Sequence, residues 1–168
     1  MKAKALALFF LLIALLLPTR LSLAADLPEE AIALGGLKIG SSHAYVESIY
    51  GTPNNMDNSS TWNISPDRSP VQILFYDYGK LRISIRTDSD SVMIATAVTA
   101  DIETPQGLHV GNTVADIEQA FGCLPEKLAG NGLPFTDIYR YEGTDASLVF
   151  YTNTEGTITE IHLMENLF

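Results

Sequence analysis

Apolar and polar residues alternate most clearly in the middle of the chain, where Leu81, Ile83 and Ile85 are interleaved with Arg82, Ser84 and Arg86. A period of two predicts a half-buried strand over Leu81–Thr87. Val71–Tyr78 precedes it as another strand, and Asp88-Ser89-Asp90-Ser91 turns the chain into a third, Val92–Ala100. The same plan returns downstream as Asp137–Tyr141 and Ser147–Thr152, then a turn at Asn153–Gly156 and a last strand, Thr157–Leu163. An extra strand is compatible with Trp62–Ile64, and Ser65–Pro70 reads as a loop. Asp26, Pro28 and Glu29 open a stretch, Leu27–Leu34, that fits a short leading helix.

The period changes to that of a helix in two places. Val46, Ile49 and Tyr50 form an i, i+3, i+4 stripe, and Ile117, Ala120 and Phe121 form another. These stripes belong to matched segments. Residues 36–51 and 107–122 superpose without a gap, and Gly36, Leu37, Gly40, Ala44, Glu47 and Gly51 recur as Gly107, Leu108, Gly111, Ala115, Glu118 and Gly122. Ile39 and Val110, Ser42 and Thr113, Val46 and Ile117, and Tyr50 and Phe121 are conservative partners. Ser42 and Thr113 are placed to cap a helix, with Asp116 three residues after Thr113 in the manner of a capping box. Gly51 and Gly122 stand where a helix ends, and Pro53 and Pro125 prevent its continuation. Helices this short are marginal alone in water, so they must pack on a sheet.

Helix followed by short-turned strands, twice over, predicts an α+β fold: a tandem duplication of a helix-plus-antiparallel-sheet module, with the helices packed on one sheet face. The boundaries expected are residues 25–103 for the first module and 104–168 for the second, with Thr104–Gln106 as a joint too short to be a flexible linker and both modules in one compact body.

Residues 1–24 read differently. Lys2 and Lys4 precede an apolar run from Ala5 to Leu17, and Ser22 and Ala24 supply the small residues of a signal-peptidase site. The expectation is a secretory signal peptide cleaved after Ala24, leaving a periplasmic or secreted protein with no stable membrane anchor. Removal of Lys2, Lys4 and Arg20 leaves seven basic residues against twenty acidic ones. A surface so acidic keeps a protein soluble and repels nucleic acid and anionic lipid. Cys123 is the only cysteine, which excludes an internal disulfide and leaves stability to the core.

The tandem segments Gly36–Gly51 and Gly107–Gly122, each with an apolar residue, Gly, a polar residue, Ser/Thr, a short helix with Val/Ile in its middle and a closing Gly, resemble the helix-start motif of the β-lactamase inhibitory protein family. They are also similar to the single motif of the SmpA/OmlA (BamE) outer-membrane assembly lipoproteins. The resemblance implies small α+β modules that offer a sheet surface to protein partners in the envelope, without catalysis. The chain departs from both groups: it lacks the inhibitors' cysteine pairs and the lipoproteins' lipid-bearing cysteine, and Ser41 and Asn112 replace the usual Met. Only the architecture is carried over.

No catalytic, cofactor or metal constellation accompanies these elements. His43, His109 and His162 fall in no HExxH or His/Cys cluster, no GxSxG occurs, and Gly35, Gly36 and Gly40 lack a P-loop lysine. Asp88 and Asp90 resemble the start of a calcium loop, but a hairpin turn explains them better. The expected function is therefore that of a noncatalytic, exported protein-binding module. The candidate surface is Trp62, Tyr76, Tyr78, Tyr139, Tyr141 and Tyr151, with Arg82 and Arg86 beside them, because aromatic and arginine side chains dominate interface energetics. A small-ligand or metal-ion binder, or a hydrolase using a groove between modules, is the alternative.

Overall fold

The computed structural model describes residues 27–64, 69–125, 127–129 and 137–166. The expected signal peptide, residues 1–24, lies outside the described residues, as does 65–68 of the expected loop.

Two helices of eight residues, α1 (His43–Tyr50) and α2 (Val114–Phe121), begin and end at matched positions of the two similar segments. Ser42 Oγ accepts the Tyr45 N–H at 3.2 Å, and Thr113 and Asp116 form a reciprocal capping box, with Asp116 Oδ2 2.7 Å from the Thr113 nitrogen. Gly122 closes α2 in the left-handed conformation, φ 77° and ψ −11°. Gly51 has a similar φ, 73°, but ψ −156°, so the chain leaves α1 extended instead of curling back. Only glycine adopts that backbone without strain.

The strands are β1 (Asn55–Trp62), β2 (Val71–Asp77), β3 (Leu81–Arg86), β4 (Ser91–Ala97), β5 (Lys127–Ala129), β6 (Asp137–Glu142), β7 (Ala146–Thr152) and β8 (Ile158–Glu165). They form one antiparallel sheet in the order β1-β2-β3-β4-β8-β7-β6-β5. This corrects the expected α+β tandem of helix-plus-sheet modules: the described residues form one eight-stranded sheet with two short α-helices, dominated by β-structure. The physical reason is the pairing of β4 with β8, from Ile94 opposite Met164 to Ala97 opposite Ile161. Those strands would otherwise be the exposed edges of two separate sheets, and fusing them satisfies both rows of backbone groups.

Three local expectations also change. The leading helix is only a 3-10 turn, Glu29–Ala31, because residues 32–34 run on into the core. The extra strand lies earlier than Trp62–Ile64 and is longer, a polar edge whose sequence carries no alternation. The three-residue β5 gave no signal at all.

One side of the sheet carries the main core. The cross-strand row Tyr76, Ile83, Ala95, Leu163, Leu148, Tyr141 is buried, and Val46 of α1 and Ile117 of α2, both fully buried, pack in the same cluster. Ile32, Leu34 and Leu37 complete it from the segment before α1. That segment is tied to the far half of the sheet: the Leu27 N–H donates to the Glu142 carbonyl at 3.1 Å, and Glu29 Oε1 accepts the Thr144 N–H at 2.7 Å.

Phe150 is fully buried, with ring centroids 6.0 Å from Phe121 of α2 and 6.1 Å from Tyr141. Phe150→Ala is expected to cost about 3–5 kcal/mol through the cavity it leaves. Ala95, fully buried opposite Leu163 at the seam, tests the opposite error. Ala95→Leu should cost about 1–3 kcal/mol by overpacking, and chemical denaturation of both variants measures the two effects.

Candidate functional site

The eight residues singled out for a binding surface separate onto two sides. Tyr76, Tyr139 and Tyr141 lie on the helix side and are 4%, 7% and 1% exposed, so they belong to the core and not to an open patch. Tyr78 is half-buried beside them. Tyr76 and Tyr78 share the side of the sheet that the helices cover, as do Tyr139 and Tyr141.

The hydroxyls of Tyr76, Tyr78 and Tyr141 hold the helices down. Tyr76 Oη donates to Glu47 Oε1 of α1 at 2.9 Å, Tyr78 Oη to the Gly51 carbonyl at 3.0 Å, and Tyr141 Oη to the Cys123 carbonyl at 2.6 Å. Each bond reaches a helix or the residues that end it, where carbonyls lack intrahelical partners. Burial, reinforced by Glu47, pushes the Tyr76 phenol up to about 12. Burial likewise raises Tyr141. Both therefore remain protonated donors. Gly35, placed by sequence in a possible phosphate loop, serves the same purpose: Tyr50 Oη donates to its carbonyl at 2.6 Å, and a Cβ there would collide with that hydroxyl.

The other four residues, Trp62, Arg82, Arg86 and Tyr151, are not buried under the helices. The cross-strand row Phe75, Ser84, Ile94, Met164, Ser147, Glu142 alternates with the buried one and defines the helix-free face. On it, Val71, Ile73 and Met93 make a second, smaller cluster, against which Trp62, Ile64, Phe75 and Ile94 pack while staying part-exposed. Met93 is the extra residue of a bulge in β4. Trp62 meets Phe75 edge-on, with centroids 5.7 Å apart. In the other half of this face the Tyr151 ring lies 4.5 Å from that of His162, whose Nε2 is 2.8 Å from Glu160 Oε2. Burial lowers the His162 imidazole below its ordinary value, with Glu160 opposing the shift.

The arginines of this region have different fates. Arg86 turns its guanidinium to Asp88 at 2.8 Å and Glu165 at 3.6 Å, and Arg140 pairs with Glu142 at 3.1 Å. Arg82 is exposed and makes no ion pair among the described residues. Asp88 and Asp90, weighed above as cation ligands, are each committed elsewhere: Asp88 to Arg86 and Asp90 to His43, whose Nδ1 is 2.5 Å from Asp90 Oδ1. Among the described residues no group of three or more His, Cys, Asp or Glu side chains is arranged to hold a metal ion. No helix among them is long and apolar enough to cross a membrane. Phe75 and Ile94 were missed by sequence reasoning. Phe75 sits between Tyr76 and Leu74, and alternation alone does not say which face a helix will cover.

No family model matches the chain, and no curated protein matches it. Two solved structures are similar. One is a DUF4309 family protein (YjgB) from Bacillus subtilis, at 16% identity over 84% of this chain and 88% of that one, with a TM-score of 0.48. The other is an extracellular protein containing a SCP domain from Bacillus anthracis, at 10% identity over 76% of this chain, with a TM-score of 0.50. This chain spans under half of that protein's length, 44%. At such identities the second likeness speaks for the fold alone.

Two measurements check these interactions. Tyr141→Phe keeps the ring and removes the donor to Cys123, so it should cost about 1–2 kcal/mol in denaturant unfolding. The His43–Asp90 pair has a pH dependence of definite sign. The hydrogen bond to Asp90 raises His43 above its ordinary 6.5, so its contribution is complete below that value and is lost as pH rises through the raised one. The same bond lowers Asp90 below 3.8, so its contribution is present above that value and is lost as pH falls through the lowered one. In an NMR titration the His43 ring should change charge above 6.5, and Asp90→Asn should return it to about 6.5.

Proposed function

We propose that this chain is a noncatalytic protein-binding module, exported to the periplasm or the medium, that presents the helix-free face of its sheet to a protein partner. The observation that carries this reading is the contrast between the two sides of the sheet. One is filled by helices and tyrosine hydroxyls, while the other keeps Trp62, Phe75, Ile94 and Tyr151 part-exposed, with Phe75 and Ile94 beside Arg82, which makes no ion pair among the described residues. Apolar and aromatic side chains at the centre of a surface, with charge at the margin, suit protein recognition.

Other features support parts of the reading. The leader-like sequence of residues 1–24 favours export, as does the extracellular description of the Bacillus anthracis protein. The resemblance of Gly36–Gly51 and Gly107–Gly122 to the β-lactamase inhibitory protein family favours partner binding, although no inhibitory activity is carried over. The acidic composition disfavours nucleic acid as the partner.

Photo-crosslinking in the native host tests the proposal. A photoreactive residue at Ile94 or at Tyr151 should yield one and the same protein adduct, and the same residue at Glu118, exposed on α2, should not. Absence of an adduct from both face positions, or an equal adduct from Glu118, would overturn it.

A further inference from the structure

The helix-free face holds a depression of about 240 Å³ between β1, β2, β3 and β4, near the polar edge of the sheet. Phe75, Ile94 and Thr96 contribute to its apolar part, and Asp57, Asp77 and Arg82 carry its charge. The strand register arranges these groups. Asp57 stands opposite Phe75, and Asp77 stands opposite Arg82, which in turn stands opposite Thr96. Two carboxylates therefore lie on the β1–β2 side and one guanidinium on the β3 side.

Oppositely charged residues directly across an antiparallel pair ordinarily bridge. Here they do not: no nitrogen of Arg82 comes within 4.0 Å of a carboxylate oxygen among the described residues. The carboxylates are held by local backbone donors, Asp77 Oδ1 by the Gly79 N–H at 2.6 Å and Asp57 Oδ1 by the Ser59 N–H at 2.8 Å. Asp77 thus stands beside Arg82 without bridging it, and Asp57 stands on the other side of Phe75.

We propose that this depression binds a zwitterionic small molecule of the class of free apolar α-amino acids, with its carboxylate on Arg82, its ammonium group at Asp57 and Asp77, and its side chain over Phe75 and Ile94. The charge pattern selects this class. A cationic side chain would meet the Arg82 guanidinium, and a simple carboxylate would meet Asp57 and Asp77, whereas a zwitterion complements both. The size agrees, since the volume lies below the roughly 300–1,000 Å³ of sites for drug-sized ligands. The site shares a face with the proposed docking surface but does not rest on that reading.

NMR titration of the isolated protein with L-phenylalanine, N-acetylphenylalanine and phenylalaninamide tests it without any protein partner. L-Phenylalanine should give saturable shifts at the Asp57, Phe75, Arg82 and Ile94 amides, and each blocked analogue should bind at least about tenfold more weakly. Arg82→Gln, at an exposed position, should abolish the preference for the acid over the amide. Asp57→Asn, which can still accept the Ser59 N–H, should weaken the preference for the free amine, so the two variants report on the two charges separately. Absence of saturable shifts up to about 10 mM, equal binding of the three compounds, or an unchanged preference in Arg82→Gln would overturn the proposal. None of those results would alter the crosslinking outcome at Ile94 and Tyr151, so the two readings fail separately.

Discussion

Everything in this fold depends on the antiparallel pairing of β4 with β8. Each strand ends a run of strands that follows a helix, and each would leave a row of backbone donors and acceptors unmet if the runs stayed apart. Pairing them lets Ala95 and Leu163, Ala97 and Ile161 lie side by side in one core. It also gives α1 and α2 a common support, since neither helix has enough length to persist by itself.

Once the sheet is continuous, its two sides have different tasks. The helix side needs groups that can be buried and still meet the polar ends of short helices. Tyrosine meets both needs: its ring contributes apolar area and its hydroxyl reaches a carbonyl that the helix cannot satisfy. Tyr78 and Tyr141 act in this way toward the Gly51 and Cys123 carbonyls, while Tyr76 reaches the Glu47 carboxylate of α1 and Tyr50 ties α1 to the Gly35 carbonyl. The opposite side needs no such tethers. Its smaller cluster of Val71, Ile73 and Met93 is covered by its own neighbours, which leaves Phe75, Ile94 and Arg82 at the surface.

The parts of the fold legible in the sequence were those governed by local rules. Both helices, their caps and six of the strands follow from periodicity, capping residues and turn residues around Asp88–Ser91 and Asn153–Gly156. The joining of the strands into one sheet was not legible, because pairing between β4 and β8 is a long-range event that leaves no local pattern. β1 was located only at its end, since Asn55–Ser60 has a single apolar residue, Met56, and so no alternation, and is held by its partner alone. The candidate site was half legible. Aromatic and arginine residues were found, but a strand pattern shows only that Tyr76 and Tyr78 share a side, not that α1 covers it.

The polar character of β1 has a consequence for how the sheet comes apart. Its eight residues form one outer boundary of the sheet, carry a bulge between Asp57 and Ser60, and bury none of their side chains fully. A long, straight, apolar strand in that place would recruit strands from other molecules; this one is poorly suited to do so. The same features leave it held by β2 alone, the arrangement from which an edge frays and lets its amide hydrogens meet solvent before a central seam opens. Resistance to self-association and early local opening are thus two results of the same eight side chains.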